Sequence, residues 1–273
     1  MLKALKQARA AIALLNPEEV RGRACRPIRI GLVAASDFEY ARMEALFDAG
    51  GAKEPVAFRA SDPNPPETVD VVVYEPGLDM AEDAYALNAA DPHPALTRIV
   101  HDHDDLALAL ARQAPVFRRL VVERIIRSIA RENALFAVAT ALPDVIPNLM
   151  ELPWAFGEWA SDTAFITANQ IRMAFLIAAA SGKEIGFAQQ KLDVLAIGAA
   201  AFGWRAIARE LVAKIPFGGG LIPKGAIAYA GTYVMGKGLE RLHADGPALT
   251  SAEREAAYRE ALETGKAVVA PPG

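Results

Sequence analysis

Residues 169–183 read Asn-Gln-Ile-Arg-Met-Ala-Phe-Leu-Ile-Ala-Ala-Ala-Ser-Gly-Lys, and after a polar spacer residues 192–205 read Leu-Asp-Val-Leu-Ala-Ile-Gly-Ala-Ala-Ala-Phe-Gly-Trp-Arg. The same style continues to Gly238: Ala and Gly dominate the apolar segments, which isolated Arg and Lys residues interrupt. Small residues on apolar helices let backbones approach closely. The stretch therefore predicts a compact helical module. Its hinge is expected at Pro216, Gly218, Gly219, Gly220 and Pro223, where proline and glycine favour a tight inter-helix connection.

Outward from this stretch, the period stays helical from about Asp104 to His243. Toward the N-terminus the pattern changes. Pro27 to Ala34, Pro55 to Arg59 and Val69 to Tyr74 are short apolar runs, as buried parallel strands are. Ser36 with Glu39 three residues on has capping-box spacing and predicts a helix to about Phe47. Met80 to Pro94 is acidic and irregular and reads as loop. Leu2, Leu5, Ile12 and Leu15 give a weak helical stripe. Thr250 and Glu253 form a second capping box, opening a helix expected to stop at Gly265.

The expected fold class is α+β, mostly α, with a small N-terminal α/β unit of about three strands before an Ala/Gly-rich helical bundle. The expected divisions are an N-terminal helix and linker over 1–27, the α/β unit over 28–95, the helical domain over 96–243, and a C-terminal helix and tail over 244–273.

Composition narrows function. The chain has 273 residues, is 53% hydrophobic, and carries a formal charge of −4, which gives no global drive toward nucleic acid. A single Cys25 excludes an intrachain disulfide framework and fits a reducing compartment. Ala10 to Leu15 is too short for a signal h-region. No uninterrupted apolar run reaches the ~18 residues of a spanning helix, although shallow insertion of paired helices stays open.

Several landmarks stand in order: Asn133-Ala134, Pro143, Asn169-Gln170-Ile171-Arg172-Met173, Ile215-Pro216 before the glycines, and Thr232-Tyr233. Together, over Phe117 to Leu242, they resemble the YcjF-like helical domain, a bacterial domain of unknown function (family 697) often found after Era-like GTPase domains. Leu149 to Ser161 is longer than that family's linker. The resemblance implies a cytoplasmic module, peripheral at the inner membrane or shallowly inserted in it, working beside a GTPase. It implies no chemistry.

A GTPase preceding the helices would need Gly-x-x-x-x-Gly-Lys-Ser/Thr after the first strand, to wrap phosphates in backbone N–H groups and neutralise them. Here the glycine positions fall at Ala34 and Glu39, the lysine at Tyr40 and the hydroxyl at Ala41. Asp37 and Glu39 bring negative charge where polyphosphate would sit. A switch-type Asp is replaced by Tyr74, and no guanine-reading motif follows. The N-terminal unit thus reads as a degenerate GTPase-like remnant or an unrelated small α/β unit, with GTPase activity not expected.

Two other clusters carry expectations. Arg118, Arg119, Arg124, Arg127 and Arg131 against Glu123 mark a basic amphipathic helix, a candidate membrane or partner surface, although a solvated face on a packed core helix is the commoner use of such a pattern. His93, His101, Asp102, His103, Asp104 and Asp105 have metal-ligand chemistry, but the favoured reading is that Asp102 and Asp104 cap a following helix and the histidines are solvated. Asn169, Gln170 and Arg172 suit buried hydrogen bonds in an apolar helix. Glu132, Asp144, Glu151 and Asp162 lack the Glu-x-x-His pairs of a di-iron site.

The leading expectation is a non-catalytic membrane-surface or protein-interaction module with no cofactor, no metal and no catalytic residue. Its partners would be a protein or an anionic membrane surface, with self-association open and nucleic acid excluded. The alternatives are a regulator with weak residual nucleotide binding, or a metal-dependent enzyme at His101 and His103.

Overall fold

A computed structural model describes residues 16–48, 55–60, 69–140, 162–195 and 221–270. The elements in order are α1 (Pro17–Ala24), β1 (Ile30–Val33), α2 (Asp37–Asp48), β2 (Ala57–Arg59), β3 (Val71–Tyr74), β4 (Tyr85–Ala86), α3 (His93–Asp102) and α4 (Ala107–Gln113). A 3-10 turn (Pro115–Phe117) then leads into α5 (Arg118–Ala139), α6 (Asp162–Ala180), α7 (Leu221–His243) and α8 (Ser251–Val269). This is an α+β chain, mostly helical, with one small parallel sheet.

The described residues form two compact units. The first is drawn from Glu18–Glu123 and Ala178–Glu184, the second from Arg124–Ile177 and Ile185–Gly273.

In the first unit the strand order is β2-β1-β3-β4, with every pairing parallel. Ile30 and Leu32 of β1 and Val71 and Val73 of β3 are buried, as the apolar runs require. Helix α2 packs on β1, β2 and the 3-10 turn, where Phe47 stacks on Phe117 with centroids 5.9 Å apart. Ser36 Oγ accepts the Glu39 N–H at 3.2 Å, the forward half of the expected cap. The Glu39 carboxylate meanwhile holds Arg42 at 2.8 Å.

Three local expectations fail in this unit. Tyr85–Ala86 inside the supposed loop adds a fourth strand beside β3. Helix α3 begins at His93, with proline in its first turn, where a missing N–H costs no helix bond. Asp102 therefore ends a helix, and α4 starts after Leu106 without a side-chain cap, so neither Asp102 nor Asp104 caps it.

In the second unit, α7 and α8 form an extensive helix pair. Ala130, Ala134, Tyr229, Ala230 and Ala261 make a buried cluster with Tyr233, Tyr258 and Leu262 packed against it. Glycine allows this proximity. A Cβ at Gly265 would lie 2.9 Å from the Ala226 Cα and 3.0 Å from its carbonyl oxygen. Gly265 is thus a close-approach position inside α8, which runs on to Val269, and not the expected helix stop. The Thr250–Glu253 capping box is present in both directions.

Helix α6 ends in paired backbone bonds, from Lys183 N–H to the Ala178 carbonyl and from Gly182 N–H to the Ala179 carbonyl, with Gly182 at φ +76°. This is the Schellman closure, which places its glycine in the left-handed region. The N-terminal stripe, Pro143, Asp144, Glu151, Pro216, Gly218, Gly219 and Gly220 lie outside the described residues. Asp162 opens α6, and Pro223 falls within the first turn of α7.

Candidate functional site

In doubly wound parallel sheets, ligands settle at the carboxyl ends of strands where the order reverses. Here that place lies beyond β1 and β3, since β2 and β3 flank β1 on opposite sides. A carboxylate of the chain itself stands at its exposed edge. Glu75 Oε2 accepts the Ala35 N–H at 2.8 Å, while the Glu75 N–H bonds the Val33 carbonyl. Asp37 pairs with Arg59 at 2.7 Å, and the Arg59 guanidinium lies 4.2 Å from the Tyr40 ring centroid. The sequence comparison with a P-loop identifies Asp37 and Tyr40 as misfits; Glu75 matches no motif and shows itself only in three dimensions.

The basic helix is α5. Val121, Val122, Ile126, Ile129 and Ala130 are buried, whereas Arg119, Arg127 and Arg131 are exposed and Arg124 is half-buried. Arg118 departs from the expected surface set. Its Nε donates to the Ala180 carbonyl at 3.1 Å, and burial together with the Arg112 charge lowers its pKa. Arg112 donates to the carbonyls of Ala179 and Lys183. Both arginines thus satisfy carbonyl groups at the end of α6.

A polar relay crosses three helices of the second unit. Asn133 Nδ2 donates to Thr232 Oγ1 and Asn169 Nδ2 to Asn133 Oδ1, each at 2.9 Å. Arg172 Nη2 bonds both Glu132 oxygens at 2.9 and 2.8 Å. Of the polar residues expected to serve buried hydrogen bonds, Asn169 does so, whereas the Arg172 pair with Glu132 is half-buried. Glu132 is committed to Arg172, so it has a structural partner in place of the di-iron role. A second link joins His243 Nε2 to Asp193 Oδ2 at 3.1 Å, both nearly buried.

The histidine cluster is spread along and beyond α3. His93 Nδ1 meets the Thr97 hydroxyl at 3.1 Å, and the His103 ring meets Tyr85 edge-on. His101 Nδ1 contacts Asp102 Oδ1 at 3.0 Å. Asp102 also accepts the Tyr85 hydroxyl at 3.2 Å and lies 3.5 Å from Arg98 Nε. The His101 hydrogen bond, then that of Tyr85 and the Arg98 charge, hold the Asp102 carboxyl below its ordinary value. Burial and the Asp102 bond raise the Tyr85 hydroxyl. Among the described residues, no three His, Cys, Asp or Glu side chains form a metal-binding group.

Among the described residues, no helix is long and apolar enough to cross a membrane. No family model, curated protein or solved structure matches the chain.

Proposed function

We propose that this chain is a non-catalytic module that docks on an anionic membrane surface through the exposed arginines of α5, Arg127 and Arg131 foremost. The carrying observation is that Ile126, Ile129 and Ala130 are buried while Arg127 and Arg131 of the same helix remain exposed. Guanidinium groups on a helix already packed by its apolar residues can meet lipid headgroups without unfolding anything, each contributing ~1 kcal/mol near an anionic surface. On this reading the protein is cytoplasmic and peripheral, and its helical half is a YcjF-like domain.

The non-catalytic part of the proposal draws support from Glu75. A carboxylate on the Ala35 amide opposes a phosphate at the same place, both by occupying the donor and by charge. Mg-GTP should therefore leave the melting temperature unchanged. The docking part is tested by sedimentation with phosphatidylserine-rich and with purely zwitterionic vesicles. Binding to the former alone is expected; binding to neither rejects membrane docking and leaves a protein partner as the competing role for these arginines.

A further inference from the structure

We propose that His101 is a phosphoryl-acceptor site, modified on Nε2 by a donor of the phosphoramidate class, such as another protein's phosphohistidine. Three features of the α3 end lead there. The His101 side chain is 82% exposed, so a bulky donor can reach it. Its Nδ1 lies 3.0 Å from Asp102 Oδ1, and an ionised carboxylate only accepts hydrogen bonds, so the ring hydrogen sits on Nδ1. The neutral ring then presents its lone pair at Nε2, away from Asp102. Asp102 is itself fixed by the Tyr85 hydroxyl at 3.2 Å, which anchors it to the sheet.

The transfer balances without any further reactant. The Nε2 lone pair bonds phosphorus as the donor N–P bond breaks, and the leaving nitrogen, cationic in the donor, keeps that bond's electron pair and departs neutral. The His101 ring becomes cationic in its place, with its Nδ1–H still held by the Asp102 carboxylate. Arg98 stands one turn earlier on the same helix face, where its guanidinium can donate to a phosphoryl oxygen. Asp102 acts here as a positioning residue, because it selects the nitrogen without touching phosphorus. His93 shares the tautomer but lacks the carboxylate: the Thr97 hydroxyl donates to the His93 carbonyl at 2.8 Å, so its neutral oxygen accepts from His93 Nδ1 at 3.1 Å.

The test incubates the full chain with potassium phosphoramidate and follows intact mass, the modified residue by fragmentation, and the nitrogen isomer by proton–nitrogen correlation. One acid-labile phosphoryl group on His101 Nε2 is expected, forming ~10-fold faster than on His93, because a hydrogen bond to a charged carboxylate steadies the developing cationic ring more than one to a neutral oxygen. Asp102→Asn should slow it by a similar factor and admit the Nδ1 isomer. His101→Gln should abolish it at an unchanged melting temperature. An unlabelled His101, equal labelling of His93 and His101, an Nδ1 product in the wild type, or wild-type labelling of Asp102→Asn would each overturn the assignment.

Discussion

Two glycines inside helices of the second unit should respond oppositely to the same methyl group. Alanine in a helix interior is favoured over glycine by about 0.8–1 kcal/mol. At Gly238 of α7, nothing lies within 4 Å of an added Cβ, so Gly238→Ala should keep most of that gain. At Gly265 of α8, the methyl would meet the Ala226 Cα at 2.9 Å, the Ala226 carbonyl oxygen at 3.0 Å and the Tyr229 Cβ at 2.9 Å. Two of these atoms are backbone and cannot rotate away. The α7–α8 pair must separate, and overpacking of this kind costs about 1–3 kcal/mol. After the propensity gain, Gly265→Ala should be destabilised by about 1 kcal/mol, which corresponds to a fall of about 2–4 °C. Far-UV circular dichroism melts of both variants provide the assay. A Gly265→Ala protein at least as stable as Gly238→Ala would refute the close α7–α8 contact.

Removing Glu132 should leave the Arg172 guanidinium without its carboxylate, so Glu132→Ala should lose about 1–3 kcal/mol in urea titrations, with Glu132→Ala/Arg172→Met recovering part of the loss. Glu253 has a lowered pKa because the Thr250 backbone N–H bonds its carboxylate, with help from the Thr250 hydroxyl and Arg241. A depressed folded pKa means the native state binds fewer protons than the unfolded chain. That contribution is present above the ordinary value of 4.5 and disappears as pH falls through the folded pKa. The stability difference between wild type and Glu253→Gln should therefore shrink as melts are taken from about pH 6 down to about pH 3; a constant difference would exclude the linkage.

The three longer strands are legible because parallel strands packed into a core read as short apolar runs, and these begin at Ile30, Ala57 and Val71. Tyr85–Ala86 is not, since two residues are too short to show a period and backbone pairing with β3 supplies the order. Proline at 92 and 94 disguises the start of α3 by resembling a break. Gly265 misleads similarly: a helix-stop residue and a helix-contact residue are the same letter, and only the Ala226 neighbour separates them. Asn169 and Arg172 stand out as polar residues in an apolar helix, but their partners Asn133 and Glu132 are 36 and 40 residues away. Glu75 carries no signal, because its role depends on the loop after a different strand.

The most direct measurement is vesicle sedimentation of wild type beside Arg127→Glu/Arg131→Glu. These exposed arginines lie one helical turn apart on α5, and surface reversals change stability little. At ~1 kcal/mol for each basic residue removed, affinity for phosphatidylserine-rich vesicles should drop by about thirtyfold, and added salt should weaken the wild type in the same direction. Equal partitioning of the two proteins, or wild type that stays in the supernatant, would contradict membrane docking through α5.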